Sequence, residues 1–172
     1  MRVYIPATLA MLAQLVADGS LRPISGTAFA VTPMLRESYA EGDDDELAEV
    51  ALREAALASL RLLSGQSEEP AADSGDTPPP RRAVLVAEAD GVTARPDLDD
   101  AVVRLSAPIA IGDVLAAYVD IAAAEPAVRA AMAAIDAADL GDEDSELIVG
   151  DAQDHDLAWY APQELPFLLE LL

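Results

Sequence analysis

The chain has 172 residues, enough for one domain or for two small lobes that share a core, and 52% of its residues are hydrophobic. Its 32 acidic residues outnumber 10 basic ones, all of them arginine, so the net charge is −22. A surface potential of that sign repels nucleic-acid phosphates and anionic lipids, which argues against binding to either. Cysteine is absent, which excludes disulfides and thiolate chemistry.

The sequence also lacks the patterns of exported and membrane proteins. No apolar run reaches the roughly 20 residues of a membrane-spanning helix. The first residues enter a strand pattern directly, without the charged and apolar regions of a secretory signal. We therefore expect a cytoplasmic protein without membrane contacts.

The first forty residues show two strand-to-helix transitions. The stretch RVYIP predicts a strand over residues 2–6, and Thr8 then fits the N-cap of a helix that ends at Gly19. Residues 27–31 predict a second strand, after which Thr32 and the proline behind it suit the start of a second helix.

The middle of the chain contains a helix, a polar segment and a buried strand. The aspartates at 43–45 favour a helix start, and Glu49 and Arg53 are spaced to pair on its outer face. Residues 64–80 carry almost no large apolar side chain, which predicts a linker or disordered loop. The AVLVA run at 83–87 predicts a buried strand.

The second half continues the alternation of strands and helices. We predict a strand at 101–106, a short helix at 109–115, a strand around Tyr118 and a helix that begins at Glu125.

The C-terminal region predicts two more strands and a last helix. The strands fall at 147–149 and 157–160, and the prolines at 162 and 166 suit a short turn followed by the terminal helix.

These elements predict an α/β fold, with α+β as the alternative, in which helices cover a sheet. Residues 2–40 and 101–138 share one order of strands and helices, so we predict two βαβα halves related by a pseudo-two-fold axis. The halves span residues 1–63 and 82–172, with 64–81 as a flexible linker or loop, within one compact domain. Chance recurrence is the alternative explanation, since any α/β protein repeats strand-to-helix junctions.

The familiar catalytic and cofactor motifs are missing. There is no GxxxxGK[ST], GxGxxG, HExxH or GxSxG motif, and a single histidine cannot supply the two or three histidines of a typical catalytic zinc site. The acidic stretch 136–156 departs from a calcium-binding loop at Leu147 and Gln153, where glycine and glutamate are needed. We predict no catalytic residue, cofactor or metal site. We expect a solvated acidic surface at 136–156, with a loosely held cation there as the alternative.

One cluster near the C-terminus combines residue types that occur in binding sites. Histidine titrates near neutrality, and tryptophan and tyrosine offer flat, partly polar surfaces. Two polar residues at the start of the last helix would lie near the end of a strand, where open α/β sheets bind ligands. The alternative places the aromatic residues in the core and the histidine on the surface. The candidate ligand or partner residues are His155, Trp159, Tyr160, Gln163 and Glu164.

Four segments, RVYIPATL, TAFAVTPMLRE, DAADLGDEDSE and HDLAWYAPQELPFLL, resemble a family of uncharacterised actinobacterial proteins, a domain of unknown function. The resemblance extends over nearly the whole chain outside residues 64–80. It implies a cytoplasmic protein of a GC-rich bacterium. It brings no activity, ligand or catalytic residue with it.

Three hypotheses about function follow. The first is a non-catalytic interaction or regulatory module with an unidentified protein partner, because charge and aromatic residues are concentrated while reactive constellations are missing. The second is a small-molecule-binding protein or enzyme with its site near His155, Trp159 and Tyr160. The third is an acidic protein that mimics a phosphate backbone, which requires the acidic blocks 41–54 and 136–156 to share one face.

The net charge predicts that salt stabilises the fold. The Debye length falls from about 30 Å at 0.01 M salt to about 10 Å at 0.1 M, so added salt screens the repulsion between carboxylates. We expect the melting temperature to rise between about 10 mM and 150 mM sodium chloride. A melting temperature that stays flat or falls over this range would contradict the repulsion argument.

Overall fold

The computed structural model describes residues 1–39, 41–67 and 78–172. Within these ranges the chain forms six α-helices and nine strands, joined in places by short 3-10 turns. The helices are α1 (Leu9–Asp18), α2 (Pro33–Ser38), α3 (Asp44–Ser67), α4 (Glu125–Asp139), α5 (Glu143–Gln153) and α6 (Leu165–Glu170). The strands are β1 (Arg2–Ala7), β2 (Ser20–Leu21), β3 (Thr27–Phe29), β4 (Ala83–Glu88), β5 (Val92–Ala94), β6 (Val102–Leu105), β7 (Ile109–Ala110), β8 (Val114–Asp120) and β9 (Leu157–Tyr160).

Seven strands form one sheet in the order β5-β6-β3-β1-β4-β8-β9, and β2 pairs with β7 in a small second sheet. Every pairing between the described strands is antiparallel. The central pair, β1 with β4, joins a strand of the predicted first half to a strand of the second. The fold is therefore mixed α/β, as predicted, with both halves contributing to one antiparallel sheet.

Helices cover both faces of the sheet because the central strands are apolar on both sides. On β1, Val3 and Ile5 pack into a cluster with α1 and α6, whereas Tyr4 faces the cluster beneath α3. A third cluster lies between α3, α4 and α5 and includes Leu60 and Ile135. The long helix α3 therefore packs against the sheet on one side and against α4 and α5 on the other.

Local capping signals set the predicted helix starts. The Thr8 hydroxyl accepts a hydrogen bond from the Met11 N–H at 3.2 Å, and Thr32 accepts one from the Leu35 N–H at 3.1 Å. Both interactions satisfy an amide that the first helical turn leaves without a partner. Gly19 ends α1 in the left-handed conformation, at φ 76°, which glycine adopts without steric cost. These predictions are confirmed.

Two predicted elements are wrong. Residues 109–115 were expected to form a helix, but they contain β7, a 3-10 turn and the start of β8. Pairing of β7 with β2 and of Val114 with Ala87 overrides the local helical pattern. Residues 147–149 were expected to form a strand, but they lie inside α5. Of these three residues, Val149 is the one that the helix buries against α4.

The start of the predicted linker overlaps the end of α3. Residues 64–67 form the last turn of α3, and Ser64 donates a hydrogen bond from its hydroxyl to the Met132 carbonyl at 2.9 Å. Residues 68–77, the main part of the predicted linker, lie outside the described residues. Residues 78–80 lead into β4.

The segments predicted to repeat, 2–40 and 101–138, differ in one helix. The first runs from β1 through α1 to β3, whereas the second passes from β6 to β8 through β7 and a 3-10 turn. The helix α1 therefore has no counterpart between β6 and β8. A pseudo-two-fold repeat remains a prediction.

Ser59 connects α3 to the two central strands. Its hydroxyl donates to the Ala7 carbonyl at 2.6 Å and accepts from the Ala83 N–H at 3.0 Å. Ala7 and Ala83 are partners across β1 and β4, and the Ser59 side chain is fully buried. One hydroxyl thus satisfies polar groups of both strands at the point where α3 crosses them.

Ser59→Ala should lower the free energy of unfolding by about 1–3 kcal/mol, because it leaves a buried N–H and a buried carbonyl without their partner. Urea unfolding measures the difference. Ser38→Ala is the matched control, since Ser38 is exposed and its hydroxyl bonds to the Met34 carbonyl and to the exposed Asp100 carboxylate, where water can replace it. The control should change stability by less than about 0.5 kcal/mol. Equal effects of the two substitutions would contradict the role of Ser59.

Candidate functional site

The five residues predicted as a site do not come together. His155 follows α5, and Trp159 of β9 lies on the sheet face that α3 covers. Tyr160 packs against the opposite face, into the cluster with α1 and α6. Gln163 and Glu164 are exposed on the 3-10 turn that follows β9. The sheet therefore separates the predicted residues into two groups.

The premise that placed these residues at a ligand-binding edge does not hold for this sheet. Ligands at the carboxyl ends of strands are a property of parallel α/β sheets, in which those ends share one edge. Here neighbouring strands run antiparallel, so their carboxyl ends alternate between the two edges. The sequence pattern alone does not distinguish the two arrangements.

One of the five residues, His155, lines a groove of about 430 Å³ between α3 and the sheet. One wall is the side of α3 over residues 45–56, and the other is the segment 153–157 between α5 and β9. We call this space the α3 groove. The polar residues of its floor are Tyr4, Arg82 and Tyr118.

A buried ion pair lies at one end of this floor. Arg82 immediately precedes β4 and Asp120 ends β8, so the two neighbouring strands bring their side chains together. The Arg82 Nε donates to Asp120 Oδ2 at 2.9 Å, and Nη2 donates to Oδ1 at 2.7 Å. The backbone N–H of Arg82 donates to Oδ2 at 2.8 Å. The side chains are 1% and 0% exposed, so each charge depends on the other for its stabilisation.

Arg82 also holds the second wall of the groove. Its Nη1 donates to Gln153 Oε1 at 2.8 Å, and Nη2 donates to the His155 carbonyl at 2.9 Å. These contacts and those to Asp120 occupy four of the five guanidinium hydrogens. The fifth, on Nη1, has no acceptor among the described residues, and Arg82 lines the groove. One hydrogen-bond donor of this buried cation therefore has no partner within the described part of the chain.

The α3 wall carries charges on three successive turns. Asp45, Glu49 and Arg53 all line the groove and are exposed. The sequence predicted that Glu49 and Arg53 pair with each other, and this prediction is wrong. No ion pair within 4.0 Å joins them, and none within that distance involves either side chain in the described ranges, although Arg53 interacts electrostatically with the neighbouring Glu54. Both side chains are therefore exposed in the groove without a close ion pair.

The floor at the other end is aromatic. Burial raises the pKa of the Tyr4 hydroxyl above its ordinary value, and the nearby Tyr118 and Asp45 raise it further, although Arg2 opposes this shift. Tyr4 therefore stays protonated at neutral pH and can donate a hydrogen bond. The rings of Tyr4 and Tyr118 supply apolar faces that also attract cations.

Sequence reasoning missed Arg82 and Asp120. A double arginine directly before a predicted buried strand was a weak signal, because a charge beside a core strand needs a partner. That partner lies 38 residues away, and only the β4–β8 pairing identifies it. His155 was found because it is the sole histidine of the sequence.

A second cavity, of about 280 Å³, lies beside β7 and is lined by three carboxylates. They belong to Glu88, Asp90 and Asp113, and Glu88 lies 3.5 Å from the N-terminal amino group. Within the described residues, no three acidic, histidine or cysteine side chains are arranged to hold a metal ion. Neither this cavity nor the acidic stretch 136–156 therefore offers a formed cation site in the described part of the chain.

The comparison with protein families matches residues 1–169 to the model of DUF6912, a family of unknown function. The chain belongs to this family. The match confirms the resemblance to a domain of unknown function, whereas an actinobacterial source stays a prediction. No curated protein and no solved structure matches the chain. In the part of the DUF6912 chain that the structure describes, no helix is both long and apolar enough to cross a membrane.

Removing one partner of the buried pair should destabilise this DUF6912 protein strongly. Arg82→Met leaves the Asp120 carboxylate buried without its counter-charge, and we expect a loss of about 3–5 kcal/mol in the free energy of unfolding. The double variant Arg82→Met, Asp120→Leu removes both charges and should recover most of this loss. Urea unfolding of both single variants and the double variant measures the coupling.

The control for this cycle is the exposed pair of Arg95 and Asp97, whose nitrogen and oxygen atoms lie 2.7 Å apart. Arg95→Met should leave the urea midpoint near that of the wild type, because solvent screens exposed pairs. Similar losses at the buried and exposed pairs would contradict the argument.

Proposed function

We propose that the protein is a small-molecule-binding, regulatory module whose site is the α3 groove. The observation that supports this most directly is a groove of about 430 Å³ with a buried arginine in its floor. Its volume lies in the range of about 300–1,000 Å³ that is typical of ligand sites. The proposal joins the first two hypotheses from the sequence, since a ligand in this groove regulates without requiring a reaction.

The composition of the groove also supports binding. Ala48, Leu52 and Leu157 provide apolar contacts, while tyrosine hydroxyls and charged groups converge on the same space. Ligand sites commonly combine an apolar lining with a few polar groups that fix orientation. Arg82 connects the floor to the segment 153–157, so occupancy of the groove and the position of that segment are linked.

An enzymatic role is the second candidate, because His155 lines the groove and can act as an acid or base. A reaction also requires a partner that orients or complements the imidazole. Among the described residues, the His155 contacts are made by its backbone carbonyl and N–H. We therefore favour binding over catalysis.

A phosphate-mimicking role has less support. The acidic stretch 136–156 carries apolar side chains among its carboxylates, with Leu140 and Leu147 largely exposed. A phosphate backbone presents no such surface. These leucines fit the interaction-module hypothesis, whose partner stays unidentified.

We also propose that a repeat is centred on the β1–β4 pair, which changes the alignment of the two halves. The sheet order places β3 and β8 symmetrically outside this pair, and β2 and β7 pair with each other across the halves. In this alignment α6, from the C-terminus, packs beside α1 on the same face. The α3 groove lies on the other face of the sheet, and its residues need not obey the proposed repeat.

Filling the groove tests the proposed function. Ala48 is half-buried in the groove wall, and Ala48→Phe places a ring in the ligand space. Ala130→Phe is the matched control on the exposed side of α4. We expect a library of small polar fragments, screened by ligand-observed NMR, to yield compounds that bind the wild type and Ala130→Phe but not Ala48→Phe.

Thermal unfolding verifies that both variants fold. Fragments that bind all three proteins equally would place binding elsewhere and overturn the proposal. A screen without any binder to the wild type would also overturn it.

A further inference from the structure

We propose that the ligand of the α3 groove is a compact aliphatic zwitterion, with an amine at the Asp45 end and a carboxylate or similar acceptor at the Arg82 end. The proposal rests on the proposed function and adds the chemical class of the ligand. It is carried by the separation of acidic and basic side chains along the α3 wall of the groove, with Asp45 and Glu49 towards one end and Arg53 towards the other.

The acidic end is defined by the first turns of α3. Asp45 and Glu49 lie one turn apart, about 6 Å along the helix axis, and both line the groove. Tyr4 is close enough to Asp45 for the carboxylate to affect its hydroxyl, although Arg2 affects the same hydroxyl more strongly and in the opposite direction. Two carboxylates beside an aromatic ring form a favourable environment for an ammonium group, which interacts with both.

The opposite end provides hydrogen-bond donors. Arg53 follows Glu49 by one more turn, and its backbone carbonyl accepts a hydrogen bond from Gln153 Nε2 at 3.4 Å. Gln153 also accepts from Arg82 Nη1 at 2.8 Å, so Arg53 and Arg82 belong to the same end of the groove. One Nη1 hydrogen of the buried Arg82 has no acceptor among the described residues. An anionic or carbonyl oxygen satisfies it.

The failure of Glu49 and Arg53 to pair is the second independent observation. On a helix surface, opposite charges four residues apart commonly attract each other. Here both side chains line the groove without contact within 4.0 Å. A ligand with one charge of each sign can neutralise both.

Charge also limits the ligand class. Asp156 adds a carboxylate beside His155, and the chain as a whole carries −22, so a polyanion such as a nucleotide triphosphate is repelled. A simple diamine would leave Arg53 and the Arg82 hydrogen unsatisfied. Asp45 and Arg53 are about 12 Å apart along α3, which favours separated charges joined by an aliphatic chain. Ala48, Leu52 and Leu157 supply the apolar contacts for that chain.

The test uses three probes of one chain length: 6-aminohexanoate, hexylamine and hexanoate. Amide shifts of the ¹⁵N-labelled protein are followed by NMR up to about 10 mM probe. We expect 6-aminohexanoate to shift groove residues and to bind at least about tenfold more tightly than either single-charge probe. 4-Aminobutanoate and 8-aminooctanoate then report the preferred charge separation.

Substitutions at the two ends of the groove test which ligand charge binds at each end. Glu49→Gln should weaken the binding of 6-aminohexanoate and hexylamine but not that of hexanoate. Arg53→Gln should weaken the binding of 6-aminohexanoate and hexanoate but not that of hexylamine. The matched controls are Glu146→Gln and Arg129→Gln, which lie on exposed positions of α5 and α4. They should leave all three probes unchanged. All four substitutions are at exposed residues, so the variants should fold.

Equal binding of the three probes, or the absence of any shift with 6-aminohexanoate, would overturn the zwitterion proposal. In that case, fragments that bind the wild type but not Ala48→Phe would leave the proposed function intact. If no fragment binds, both proposals fail together. The two results therefore separate the ligand class from the existence of the site.

Discussion

The buried contact between Arg82 and Asp120 determines how this molecule is assembled around its groove. It joins the start of β4 to the end of β8, and through Gln153 and the His155 carbonyl it also holds the segment that leads from α5 to β9. A charge pair shielded from water needs good geometry on both partners, and the carboxylate here receives three donors from Arg82 alone. Three elements distant in sequence therefore meet at one guanidinium.

The position of the Arg82–Asp120 contact beside the α3 groove has a consequence for ligand binding. Arg82 belongs at once to the core and to the floor of the α3 groove, so a ligand that contacts it interacts with a group already fixed by the fold. Preorganised polar groups lose little entropy when a ligand binds. The charges on α3 are different, because Asp45, Glu49 and Arg53 are exposed to solvent. One wall of the groove is thus held by buried hydrogen bonds, whereas the other presents exposed charges.

The sequence predictions were correct where the deciding interactions are local in the sequence and wrong where they join distant segments. Thr8, Thr32 and Gly19 act on amides and carbonyls within a few residues, and the predicted helix boundaries at these positions are correct. The helix predicted for residues 109–115 was wrong because the deciding contact, the pairing of Ala110 with Ser20, joins residues far apart in the sequence.

The same reasoning applies to the site. His155 could be singled out by its chemistry, but its neighbours in sequence, Trp159 and Tyr160, are separated from each other by the plane of the sheet. Arg82 and Asp120 required the strand order, which no local pattern contained. The premise of a parallel sheet failed for the same reason, since strand direction is a property of pairing and not of composition.

The short strand β9 has a consequence for behaviour at high concentration. It forms one edge of the sheet, and an edge strand exposes backbone groups on which strands of other molecules can pair and extend a sheet. Here the edge is four residues long and is preceded by the exposed carboxylates of Asp154 and Asp156. Like charges on approaching copies repel one another before their edges can meet. The acidity that we expect to destabilise the folded chain should therefore also oppose its assembly into larger sheets.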